Sequence, residues 1–267
     1  MPPRRVAGRS DAGRQLLRRW ARDRLRHRPG RPARGIRPRQ GRRAARRPLR
    51  DRPGDRLGRI RSGGSAPEAS RGRVSRAHSA VFLPDGRIAT ADLGLDLVRI
   101  RRRDLSVDHD VELPRGTGPR HMVMHPSGHL HVVTEYSCEV FTLASDREGR
   151  WGLASATTAS PAAQVGIDFP AELAMSRDGA TLYTALRGSN TIAALRVRGG
   201  GEGLEPLALA DAGVDWPRHH LVYDGTLLVA GQRSSTISVV DLDERTGAPR
   251  DVRHVTAAPT PTRVLPA

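Results

Sequence analysis

His78, Arg120, Glu135, Arg187 and Arg218 are the residues of this chain whose types and spacing can do chemistry together. An imidazole titrates near neutrality when nothing perturbs it, and a carboxylate acting with it can move protons as acid or base. Three guanidiniums can each hold a carboxylate or phosphate through paired hydrogen bonds. Such a set suits an anionic sugar or organic acid whose ring ester opens or closes. The guanidiniums would fix the anion and offset charge developing on the carbonyl oxygen. His78, Glu135 and Arg120 form the expected catalytic group. Arg187, Arg218, His121, Asp92, Glu172 and Gln232 form the expected substrate-binding group. Any one of these positions taken alone equally fits a solvated rim or a structural hydrogen-bond network.

A repeat is what brings them together. His78–Gly86, Arg120–Gly128, Ala171–Gly179 and Arg218–Gly225 share one pattern of apolar strand, Gly-centred turn and second apolar strand. The turn glycines fall 42, 51 and 46 residues apart. A period of roughly 40–50 residues made of short strands is the mark of β-propeller blades. Aligned on the turns, His78, Arg120, Ala171 and Arg218 open the innermost strand, followed by His121, Glu172 and His219. Asp92, Glu135, Arg187 and Gln232 stand where the second strand leaves its apolar run. In a propeller both sets face the channel mouth.

Twelve strands are readable between residues 79 and 242, separated by turns such as Pro84-Asp85-Gly86 and Pro126-Ser127-Gly128. Pro259–Leu265 reads as one further inner strand. No stretch of ten residues carries a helical stripe, so this part is all-β: about four blades plus a terminal strand, an N-terminally incomplete propeller. An unclosed arc leaves open sheet edges, through which self-association is possible. His109, His125, His129, His131 and His254 read as surface or turn histidines, and Cys138 as buried packing. His121 and His219-His220 lack the spacing that completes a metal site, so no metal and no cofactor are expected.

The chain divides at about residue 77. Residues 1–77 carry 26 Arg against 5 acids, whereas 78–267 are net −4, so the overall charge of +17 belongs to the first segment. That segment, 1–76, is rich in Arg, Gly, Ala and Pro and has no apolar period. It reads as GC-rich DNA translated in a wrong frame, as a disordered tail, or as a nucleic-acid arm. Trp20 is its only aromatic, which weighs against nucleic acid. No run of 18 apolar residues exists to span a membrane. The single cysteine makes a reducing cytoplasm the simplest location.

Ala77-His78-Ser79-Ala80, Gly118-Pro119-Arg120-His121, His125-Pro126-Ser127-Gly128, Thr134-Glu135, Arg187-Gly188-Ser189-Asn190 and Trp216-Pro217-Arg218-His219 occur in an order and spacing that resemble the lactonase family of seven-bladed propellers. That family includes a bacterial 6-phosphogluconolactonase and the fungal carboxy-muconate cyclase. The resemblance covers residues 77–267. It implies a hydrolase of carbohydrate metabolism acting on a small anionic lactone. It places the functional histidine on His78, the acid on Glu135, and arginines on Arg120 and on Arg187 or Arg218. An inactive propeller remnant or a non-catalytic binding module is the alternative.

Overall fold

The structure, a computed structural model, describes residues 73–266. The three readings of the Arg-rich segment fall on residues that lie almost wholly outside this range. Sixteen strands form four antiparallel four-stranded sheets, and the described residues contain no helix. The first sheet holds β1 (Ala77–Phe82), β2 (Ile88–Asp92), β3 (Leu97–Arg101) and β4 (Val107–Glu112). The second holds β5 (Pro119–Met124), β6 (Leu130–Thr134), β7 (Glu139–Ser145) and β8 (Trp151–Thr158). The third comprises β9 (Phe169–Met175), β10 (Thr181–Arg187), β11 (Thr191–Arg198) and β12 (Gly203–Asp211). The fourth comprises β13 (Pro217–Tyr223), β14 (Thr226–Gly231), β15 (Thr236–Leu242) and β16 (Pro249–Ala257). Each sheet is one blade of a propeller, and β1, β5, β9 and β13 follow one another along the inner side.

The core is made between blades. Ile100 and Val98 of the first blade meet Leu130, Val132 and Phe141 of the second. Val133 and Val140 meet Leu182 and Leu195 of the third, and Tyr183 and Ile192 meet Leu227 and Val240 of the fourth. Strands β6 and β10 are therefore buried along their whole length. Covered on both faces, they read in sequence as mostly apolar segments without a polar outward face, such as Val132-Val133 and Leu182-Tyr183.

Three expectations are corrected. The outer strands β4, β8, β12 and β16 are absent from the sequence reading, because polar and small residues interrupt their apolar positions, as in Val107-Asp-His-Asp-Val-Glu112. Pro259–Leu265 is not a strand. Pro259 and Pro261 have no N–H to pair, and Thr260 takes a left-handed φ of 42°. The segment runs back toward β13, where the Val264 N–H donates to His219 Nδ1 at 3.3 Å. His131 and His109 are core residues, not surface ones, at 0% and 8% exposure. His131 Nδ1 pairs with the Thr142 hydroxyl at 3.1 Å, and His109 Nε2 accepts the Trp151 N–H at 2.9 Å.

Candidate active site

A β-bulge opens the inner strand of three blades. Pairing skips one residue between Ala77 and Ser79, between Pro119 and His121, and between Pro217 and His219. The skipped residues are His78, Arg120 and Arg218. An unpaired extra residue bends the strand and re-aims its side chain, which is how the repeat turns these three toward a common mouth. In the third blade Ala171 and Glu172 occupy the corresponding irregularity. Neighbouring blades are tied here by the Ser79 hydroxyl, which donates to the Arg120 carbonyl at 2.6 Å.

Glu135, just past β6, is gripped from two blades. Arg120 Nε donates to its Oε2 at 2.8 Å, and Arg187 Nη2 lies 2.7 Å from the same oxygen, though off the hydrogen-bond direction. Arg187 Nε also donates to the Phe169 carbonyl at 2.9 Å. Both guanidiniums are buried, with 2% and 5% of Arg120 and Arg187 exposed. Burial first, and then repulsion from Arg187, pushes Arg120 down to about 10; burial likewise lowers Arg187 against the pull of Glu135. Arg120 Nη1 is buried with no hydrogen-bond partner among the described residues. Arg218 completes the group with a long 3.4 Å contact from Nη1 to Gln232 Oε1.

His78 departs from expectation. It makes an edge contact with His121, ring centres 5.1 Å apart, and pairs with no carboxylate among the described residues. The residue lies exposed on β1, yet its ring is sufficiently enclosed to be desolvated. That desolvation, then Arg120 and His121, pushes its pKa down to about 4. His78 is thus neutral at pH 7 and does not titrate near neutrality. Arg120, His121, Glu135 and Arg218 are the charges that act on it, which puts all five groups at one mouth.

A second tier lies one residue deeper. His121 Nδ1 and His219 Nε2 stand 2.9 and 3.3 Å from Glu172 Oε2, neither in good hydrogen-bond geometry. Burial raises the Glu172 pKa, but the His121 contact and the surrounding imidazoles outweigh it and leave it below the usual range. His219 belongs to this tier although it was not among the expected site residues; the repeat of Pro-Arg-His at 119–121 and 217–219 was its signal. Asp92 does not join the site. Its carboxylate accepts the N–H groups of Arg76, Gly94 and Leu95 at 2.8, 3.0 and 3.0 Å and the Ser75 hydroxyl, so it closes a turn. Among the described residues no cluster of three His, Cys, Asp or Glu side chains is placed to hold a metal ion.

Known proteins share this architecture. The probable 6-phosphogluconolactonase of Arthroderma benhamiae is 30% identical over 228 residues, covering 73% of this chain and 53% of that protein. The 6-phosphogluconolactonase of Bacillus subtilis is 27% identical, covering 64% and 51%. The structure of the periplasmic gluconolactonase of Pseudomonas aeruginosa matches with a TM-score of 0.66 at 24% identity, covering 71% and 56%. The chain spans about half the length of these two curated relatives. The family description "Lactonase, 7-bladed beta-propeller" matches residues 50–266, starting upstream of the Ala77 boundary drawn from the repeats. With most of its length in that match and its sixteen strands in four blades, the chain belongs to the lactonase family of seven-bladed β-propellers.

Proposed function

We propose that the channel mouth binds an anionic sugar lactone and hydrolyses it, as the names of the related lactonases indicate for those proteins. The observation that carries this reading is the buried Arg120–Glu135–Arg187 bridge with an unspent Arg120 Nη1 donor beside it. A buried cationic donor with no partner fits the oxygen of a reacting carbonyl. In the reaction, water adds to the lactone carbonyl while neutral His78 takes a proton from it. Negative charge gathers on the carbonyl oxygen against Arg120 and Arg218. The ring C–O bond then breaks, and the proton returns to the departing ring oxygen. Glu135 acts as the counter-ion that holds two guanidiniums in place, so a direct His78–Glu135 proton exchange is not part of this reading. His121, Glu172 and Gln232 set the floor and wall.

The exposed position of His78 on β1 favours a second reading, a binding module without turnover. Acid release from 6-phosphoglucono-1,5-lactone, followed at constant pH against the spontaneous rate, separates the two. Wild-type release above background that is lost in Arg120→Lys supports hydrolysis. Release at the spontaneous rate, with binding of 6-phosphogluconate retained, supports the module.

A further inference from the structure

Trp216 has an unusual backbone and an unusual neighbour. It stands where the second blade has Gly118, in Gly118-Pro-Arg-His121 against Trp216-Pro-Arg-His219. Both adopt the left-handed region, φ 64° for Gly118 and 60° for Trp216. A bulky residue there is a genuine outlier that surrounding bonds must enforce. The Trp216 N–H donates to Asn190 Oδ1 at 2.9 Å, and Asn190 Nδ2 donates to Asp215 Oδ1 at 3.1 Å. The Trp216 carbonyl accepts the Gln232 N–H at 3.2 Å.

Two guanidiniums lie over the indole so fixed. Arg187 Cζ is 5.3 Å from its ring centre and Arg233 Cζ is 3.6 Å from it. Arg187 is committed to Glu135 and the Phe169 carbonyl. Among the described residues the Arg233 guanidinium has no carboxylate or carbonyl partner; only its backbone N–H is used, toward the Asp215 carbonyl at 3.2 Å. Stacking on an aromatic face holds a guanidinium plane while leaving its in-plane N–H donors free. A donor fork held ready in this way is pre-organised for a tetrahedral oxyanion.

We infer that Arg233 is a phosphate-binding arm of this site and that Trp216 is the positioning residue that holds it. The ligand is a phosphorylated sugar, its phosphate on Arg233 and its opposite end toward Arg120 and Arg218; that placement of the opposite end rests on the lactone reading above. The subsite selects phosphorylated over unphosphorylated sugar acids.

Calorimetric titration with 6-phosphogluconate, gluconate and glucose 6-phosphate tests it. Arg233→Gln should weaken both phosphorylated ligands by about tenfold or more and leave gluconate within about twofold, the size of one lost charge-assisted contact. Arg233→Lys should restore only part, and Trp216→Gly, which suits the left-handed backbone, should give the same selective loss in a folded protein. A purely structural role would not move the ratio of phosphorylated to unphosphorylated affinity. Equal losses for gluconate and 6-phosphogluconate, no loss at all, or a wild type that does not bind glucose 6-phosphate overturns the inference. Arg233-dependent binding of glucose 6-phosphate without lactone hydrolysis keeps the arm and rejects the hydrolase reading.

Discussion

Removing the Glu135 carboxylate should destabilise the protein more than any other change at the channel mouth. Arg120 and Arg187 come from adjacent blades, are 2% and 5% exposed, and meet at this one oxygen. Burial and mutual repulsion already hold Arg120 down to about 10 with the carboxylate in place. In Glu135→Ala the two cations face each other without a counter-charge. Breaking a buried pair by deleting one partner costs about 3–5 kcal/mol. Because the Glu135 side chain is 18% exposed, water reaches it and the lower end applies. For a domain of this size about 3 kcal/mol lowers the melting midpoint by roughly 6–12 °C. Glu135→Gln keeps an acceptor and should lose about half as much. The assay is thermal unfolding by circular dichroism at low salt, repeated with added phosphate or sulfate. An anion that takes the place of the lost carboxylate should recover part of the midpoint for Glu135→Ala and none for wild type beyond ordinary ligand binding. A Glu135→Ala midpoint within about 1 °C of wild type would refute the view that this bridge ties two blades together.

Arg120→Ala should lower the catalytic efficiency of the proposed lactone hydrolysis by about 30- to 1,000-fold, the equivalent of roughly 2–4 kcal/mol, measured at a temperature where the variant is folded. Steady-state kinetics and a melt on the same sample check this. Asp96, 3% exposed, accepts the Gly116 and Gly118 N–H groups at 2.7 Å each and pairs with Arg73. Asp96→Ala should therefore cost about 2–4 kcal/mol and speed hydrogen exchange at the Gly118 amide. Stability should also fall on acidification, because burial pushes His131 to about 3 and His220 to about 4 while the unfolded chain binds protons at the ordinary 6.5. The folded form is favoured in full above 6.5 and loses about 1.4 kcal/mol per pH unit per histidine below it, levelling off near 3–4. Urea midpoints between pH 7 and pH 5 measure the slope. His220→Leu should remove one histidine's share of that slope.

The parts of the fold legible in sequence are those where burial writes a pattern. Leu130–Thr134 and Thr181–Arg187 are covered on both faces and show as mostly apolar segments; the turns between inner and second strands show as Pro, Asp and Gly. The outer strands are covered on one side only, so their composition resembles a loop. The site divides in the same way. Alignment of the repeats put His78, Arg120 and Arg218 at one level, and the bulges explain why that level faces the channel. Alignment also put Asp92 beside Glu135, and there it failed. Both stand at the end of a second strand, but the turn after Asp92 offers the N–H groups of Gly94 and Leu95, which hold its carboxylate as a local acceptor. The lowered pKa of His78 could not be read from sequence, because it depends on desolvation of the ring and then on how closely Arg120 and His121 approach.

Charge is where composition misleads most. The chain is strongly basic, yet residues 78–267 have four more acids than arginines. The positive field that the proposed anionic ligand would meet is local. Arg120, Arg187 and Arg218 gather at the mouth around one carboxylate, Glu135, while Glu172 is matched by His121 and His219. Low-dielectric walls between blades focus that field, so a few buried guanidiniums outweigh the acidic outer surface for a ligand inside the channel. It follows that anion preference belongs to the bulged inner strands and the second-strand ends. Charge changes on outer strands, such as Arg198 or Glu205 with their exposed mutual pair, should leave it untouched.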